Sequence, residues 1–145
     1  MQMSKKDYNK YAQSKAPKSH TLRDTLLAWL VGGGICVLGQ GIIDFGKNRG
    51  MEEANAATFA AVILIVLGGV LTAFGLYAKL AKWAGGGTLI PITGFANAMV
   101  APAMEFQTEG LIVGTGAKMF TITGPVLVYG ILASAIYGLV LQILG

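Results

Sequence analysis

The sequence predicts an all-α integral membrane protein, a small polytopic helical bundle whose third element is broken or re-entrant. Three observations predict it. Charged residues make up 12% of the chain and apolar residues 54%, against a usual charged share of about 25%. Residues 26–43, 57–78 and 122–144 carry no charge, and each run is about long enough to cross a hydrocarbon core of ~30 Å. Residues 85–120 are apolar too, but glycine, proline, Glu105, Glu109 and Lys118 keep interrupting them. Every backbone N–H and C=O must be satisfied inside a bilayer, so broken backbone survives there only within protein or along a water-filled path.

With 145 residues the chain reads as a basic arm (1–24) followed by one membrane domain (25–145). Lys5, Lys6, Lys10, Lys15, Lys18 and Arg23 place six of the eleven basic residues ahead of the first span. An arm that leads straight into the membrane reads as topogenic and lipid-facing, not as a nucleic-acid binder. Tyr8 and Tyr11 are spaced for one helical face, so the arm is either a short helix on the headgroups or a solvated tail. Pro17 breaks any longer helix. His20 has no second His or Cys and makes no metal ligand.

In the first span Gly32, Cys36 and Gln40 recur every four residues, a small and polar stripe suited to close helix contact and interhelical hydrogen bonding. Cys36 is the single cysteine, so no intramolecular disulfide forms, and it reads as a packing residue. Ile42-Ile43-Asp44-Phe45 offers no small-residue cleavage site, so the segment is expected to remain as an anchor. Asp44, Lys47, Arg49, Glu52 and Glu53 then mark a solvated loop over 44–56; two adjacent carboxylates do not make a calcium site.

The second span carries Gly68 and Thr72 on one face, and Lys79, Lys82 and Trp83 follow as an interfacial anchor. Basic residues before the first span and after the second put both ends of this hairpin on the cytoplasmic side. Gly85-Gly86-Gly87 disfavours regular helix, and Ile90 before Pro91 is pushed toward extended backbone. A helix restarts near Pro91 or Thr93, with Thr93 and Asn97 on one face. Pro102 predicts a kink or stop nearby, and Glu105, Gln107, Thr108, Glu109 and Gly110 form a polar end.

Residues 93–107 reach only about 22 Å as a helix. Residues 111–120 are shorter, are interrupted by Gly114-Thr115-Gly116, and carry Lys118. Two such half-segments resemble the discontinuous helices of channels and transporters. The alternative is one kinked span over 89–106 with an interfacial loop behind it. The last span carries Gly130, Ser134 and Gly138, another small-residue packing stripe.

No constellation for catalysis appears, and nothing calls for a cofactor or a resident metal. The run from Gly110 to Lys118 lacks the Gly-Lys-Ser/Thr that a phosphate loop requires. Permeation fits better. Lys118, the exposed backbone at Gly114 and Gly116, and a helix N-terminus suit an anion, while Glu105 and Glu109 suit a cation. The competing reading has these charges reach back to the headgroups and has Thr93 and Asn97 bond across helices.

Three runs carry a family resemblance: Leu30-Val-Gly-Gly-Gly-Ile-Cys-Val-Leu-Gly-Gln40, Gly85-Gly-Gly-Thr-Leu-Ile-Pro-Ile-Thr-Gly-Phe-Ala-Asn97 and Glu109-Gly-Leu-Ile-Val-Gly-Thr-Gly-Ala-Lys-Met-Phe120. In that order they resemble the stage V sporulation protein AC/AEb family of spore-forming Firmicutes. The resemblance covers nearly the whole chain, and the basic arm ending in Pro17-Lys18 looks like the AC branch.

The resemblance implies a spore inner-membrane subunit of the SpoVA complex, with its N-terminus on the core side. Such a subunit moves dipicolinic acid with calcium into the forespore and out again at germination, with mechanosensitive behaviour. It also implies partners, an AEb-like membrane paralogue and an AD-like soluble subunit. One chain has too few helices to enclose a path for this solute, so an oligomer or hetero-complex is expected. The rival reading is a non-conducting scaffold that docks soluble partners.

Overall fold

The computed structural model describes residues 4–15 and 20–144; the Pro17-Lys18 end of the basic arm lies outside them. Among the described residues every regular element is helical. The arm forms α1 (Lys5–Lys15), with Tyr8 and Tyr11 both exposed and the Lys15 ammonium 5.9 Å from the centre of the Tyr11 ring.

Helix α2 (Thr21–Asn48) and helix α3 (Glu53–Ala73) form the first hairpin. The loop between them is shorter than the composition of 44–56 suggests, because α2 continues to Asn48. A left-handed glycine closes it: Gly50 has φ +85°, its N–H reaches the Lys47 carbonyl at 2.9 Å, and the Met51 N–H reaches the Gly46 carbonyl at 3.1 Å. That pair of bonds is the Schellman closure, which glycine permits without a Cβ penalty. Lys47 and Glu53 then bridge the two helix ends at 2.9 Å.

The core runs along α3 as a stripe of mostly small residues, Ala56, Ala60, Leu64 and Gly68, all buried at four-residue intervals. A Cβ on Gly46 would meet Ala56, and one on Gly39 would meet Leu64. The two helices are therefore antiparallel and close. Lipid tails are as apolar as leucine, so helix contact in a membrane relies on such close approach more than on apolar burial.

Helix α3 ends five residues before the apolar run does. Gly75 takes φ +69°, and α4 (Leu76–Ala84) leaves in a new direction. Tyr77 and Ala84 are buried on its inner face, while Lys79, Lys82 and Trp83 face outward. Gly85, again at positive φ, turns the chain into the single helical turn α5 (Gly86–Leu89) and then α6 (Ile92–Glu105).

The contacts of this element fix its path. Gly87 meets Ala28 and Gly32 in the first half of α2, and Gly68 meets Thr93 and Ala96. Asn97 meets Thr72, and Ala101, Met104 and Glu105 line a crevice shared with Ala78. Helix α6 therefore runs alongside the end of α3 in the same direction. The chain enters and leaves on the side where α2 starts and α3 ends, which makes 85–105 a re-entrant hairpin and not a kinked span.

Pro102 does not stop α6 at once. The helix closes one turn later, where the Phe106 N–H bonds the Pro102 carbonyl at 3.0 Å. A short 3₁₀ turn over Gln107–Glu109 follows. Residues Leu111–Gly116 then form a single π turn, seen in the Thr115 N–H bond to the Gly110 carbonyl at 2.9 Å.

That turn feeds directly into α7 (Ala117–Leu144). Residues 111–120 are thus the opening of the last span and not a separate half-helix. Glycines 114 and 116 widen the helix by a π turn instead of ending it, a local device that α-helices tolerate. Pro125 sits inside α7.

Candidate functional site

The candidate site is the re-entrant hairpin and the crevice beside it. It exists because three glycines remove side chains where backbones meet. A Cβ at Gly87 would run into the Ala28 backbone, one at Gly94 would meet the Thr88 and Leu89 carbonyls, and one at Gly68 would lie 2.9 Å from the Thr93 carbonyl. The hairpin is pressed against α2 and α3 with no side chain between.

Broken backbone at this depth needs hydrogen-bond partners, and Tyr77 supplies them. Its ring is buried at 3% exposure. The phenol contacts the Thr88 carbonyl at 2.7 Å and the Thr93 hydroxyl at 3.0 Å. Tyrosine has one proton to give. The shorter contact takes it, so the Thr93 hydroxyl donates to the phenolic oxygen. Thr88 closes the turn from its own side chain, donating to the Gly85 carbonyl at 2.9 Å. Thr88, Thr93 and Tyr77 are all buried, and each side-chain oxygen is engaged.

One turn further along α6 the environment opens. Thr72 Oγ1 lies 2.6 Å from the Gly68 carbonyl and 3.0 Å from the Asn97 side-chain oxygen, one proton shared between two acceptors. The Asn97 amide group has no other side-chain partner among the described residues. It lines a crevice of about 340 Å³ with Thr72, Ala78, Ala101, Met104 and Glu105. Asn97, Ala101 and Glu105 follow at four-residue intervals, so one face of α6 leads from the half-buried amide out to the exposed carboxylate.

The five residues singled out for solute contact therefore divide. Asn97 and Glu105 share the crevice. Thr93 lies behind it, buried and bonded to Tyr77. Glu109 is exposed in the 3₁₀ turn. Lys118 is half-buried, with its ammonium 4.4 Å from the centre of the Phe106 ring, a cation–π contact. Lys118 therefore stands at the same end of the bundle as Glu105 and Glu109.

The packing residues divide as well. Gly32, Gly68 and Thr72 make the helix contacts just described. Gln40 differs from the interhelical role expected of it: its amide donates to Asp44 one turn along the same helix, at 2.9 Å. Cys36 is exposed and borders a mostly apolar groove of about 440 Å³ between α2 and the hairpin, with Trp29, Gly87 and Pro91. Gly130 and Gly138 have open space around them, and Ser134 bonds only the Gly130 carbonyl, at 2.8 Å. Among the described residues no other element covers that stripe.

Sequence reasoning missed Tyr77, because the apolar run 57–78 absorbed it into the second span. The signal was present. Gly75 precedes a nine-residue segment whose lysines and Trp83 fall on one helical face and Tyr77, Ala81 and Ala84 on the other.

Among the described residues no group of three His, Cys, Asp or Glu side chains converges on a metal position. No solved structure matches the chain. The family model described as SpoVAC/SpoVAEB sporulation membrane protein matches residues 24–140. The chain is also 36% identical to stage V sporulation protein AC of Bacillus subtilis (strain 168) over 137 residues, covering 94% of this chain and 91% of that relative. A match of this extent spans α2 to the last turns of α7, and so includes the hairpin and its crevice. The chain belongs to the SpoVAC/SpoVAEB family of sporulation membrane proteins.

Proposed function

We propose that this protein is a non-enzymatic channel subunit of the SpoVA complex. It carries dipicolinate with calcium across the spore inner membrane, inward during sporulation and outward at germination. The observation that carries the reading is the half-open crevice on α6, where the Asn97 amide, Thr72 and Glu105 lead from mid-bundle to the surface. Re-entrant backbone beside a crevice that carries a few placed polar side chains is how transporters and channels build solute sites.

A planar dianion with a dication suits a mouth offering both signs. Lys118 serves the carboxylates, Glu105 and Glu109 serve the metal, and Asn97 offers neutral donors deeper in. One chain supplies a notch and not a closed conduit. The path therefore forms between copies, or with an AEb-like membrane subunit, and an AD-like soluble subunit docks at its mouth. Lateral tension gates it by widening the seam along α6.

Orientation follows from charge. Arg23, Lys79, Lys82 and Lys118 lie on the hairpin's side of the bundle, and Lys47 and Arg49 on the other. The positive-inside rule puts the hairpin side and the N-terminus in the spore core. Helix α7 then carries the C-terminus to the opposite side.

The rival is a scaffold that conducts nothing. The test replaces residues 85–120 singly by cysteine in a Cys36→Ser background, within the native complex, and labels them with an impermeant thiol reagent. Labelling of the Asn97–Ala101–Glu105 face, suppressed by dipicolinate, is the expected result. An unlabelled face, together with parental solute movement in Asn97→Leu and Lys118→Ala, would hand the role to the scaffold.

A further inference from the structure

We infer that α4 is a seat for anionic phospholipid headgroups, and that Tyr77 passes the state of that seat to the re-entrant hairpin. The inference holds whatever the crevice carries.

Helix α4 is nine residues long and two-faced. Outward it presents Lys79, Lys82 and Trp83, the last at 72% exposure, flanked by Leu76 and Leu80. Among the described residues neither lysine lies within salt-bridge reach of a carboxylate. The helix follows a left-handed glycine at the end of a membrane-length helix, so it lies at the boundary between hydrocarbon and water. Leucines below, an indole at headgroup level and two unpaired ammonium groups above fit an anionic lipid surface in both charge and polarity.

Inward, the same helix buries Tyr77, whose phenol holds Thr88 and Thr93 at opposite ends of the Leu89–Pro91 turn. A single residue separates Tyr77 from Lys79, so a rigid short helix cannot lift off the headgroups without drawing on both bonds. Among the described residues the Thr88 carbonyl takes no other hydrogen bond outside regular helix, so losing the phenol leaves a buried acceptor unpaired and the coupling is steep. Lipid binding at α4 thus favours the closed, bonded hairpin, and its loss favours an opened one.

The whole protein, reconstituted in bilayers of phosphatidylcholine with or without phosphatidylglycerol, tests both halves. Trp29→Phe leaves Trp83 as the single indole. Bromine-labelled phosphatidylglycerol is expected to quench Trp83 more strongly than the bromine-labelled choline lipid. That preference should fall on the order of tenfold in Lys79→Gln/Lys82→Gln. Equal quenching by the two lipids overturns the seat. So would photocross-linkers at positions 76 and 80, which leave both lysines in place, if they label a soluble acidic protein and no lipid in native membranes.

For the coupling, Ile90→Cys in a Cys36→Ser background reports the hairpin turn. Its thiol should label more slowly when phosphatidylglycerol is present, and Tyr77→Phe should make labelling fast in both lipids. Equal rates in the two lipids with Tyr77 intact would overturn the coupling while leaving the seat standing.

Discussion

Residues 85–105 and residues 125–144 are apolar stretches of similar length, yet they are held in opposite ways. The first is short, broken and fastened at nearly every turn: Gly87 on Ala28, Gly68 under Thr93, Tyr77 on Thr88 and Thr93, Thr72 on Asn97. The second is unbroken helix, and every residue in it is exposed within the chain. Hydrophobicity does not distinguish them. In water the bare helix would collapse onto the bundle, but in lipid its side chains gain nothing from leaving the tails. A continuous helix also satisfies its own backbone, so it needs no neighbour. The hairpin has open backbone and no such freedom. Fastening in this protein follows the backbone's need for partners.

The largest expected effect breaks that contrast at its tightest contacts. Gly94→Ala and Gly87→Ala each push a methyl group into backbone that cannot move aside, and should cost about 3 kcal/mol or more. Gly130→Ala, with open space around it, should change stability by less than about 0.5 kcal/mol. Unfolding of the purified protein in detergent with increasing sodium dodecyl sulfate measures both. Equal effects at the two places would mean that α7 is packed within the chain after all.

Next in size is Tyr77→Phe, which keeps the ring and removes the oxygen. Two buried partners lose their bond, for about 1–3 kcal/mol in the same titration. Hydrogen exchange at residues 88–94 should rise while α7 stays protected. If instead the protection of α7 falls as far, the two regions do not unfold separately.

Smaller still is Thr72→Val, which cuts the α3–α6 bond to Asn97. Interhelical bonds of this type contribute about 0.6 kcal/mol in membranes, so the loss should sit near that figure and leave the hairpin in place. Labelling of Ala101→Cys in a Cys36→Ser background should then increase, since the bond that ties this face of α6 to α3 is gone. Last, Glu53→Gln removes the half-exposed contact with Lys47 and should shift stability by no more than about 0.5 kcal/mol, with less effect in high salt. A larger loss would place a second fastened region at the α2–α3 turn.

How far the sequence could be read follows from the same physics. The class, the first hairpin and a break near Pro91 were legible from charge depletion and from glycine and proline, but the extended backbone expected at Ile90 falls on Pro91 itself, with ψ 163°, while Ile90 is helical. The glycine at 75 was not read as the end of α3, since apolar composition continues through Ala78 and only backbone direction changes there. Residues 111–120 looked like a second half-helix, because glycine pairs argue for a break as readily as for a π turn. Of the crevice, Asn97 and Glu105 were visible as polar residues in an apolar run. Thr93, chosen for the same reason, proved to face Tyr77 sixteen residues earlier.

By itself the sequence determined what the long segments must avoid: charge in the hydrocarbon, and an unbroken helix through Gly85. These are local prohibitions, and composition enforces them. Only the tertiary structure decided which polar groups are occupied by one another and which stay free. Tyr77 takes up Thr93, the Gln40 amide turns to Asp44, and Asn97 keeps an amide facing the crevice. It also decided that the chain returns at Glu105 to the side it entered. A hydrogen bond is satisfied by any partner within reach, and reach is set by how α3, α4 and α6 pack, which no stretch of sequence contains alone.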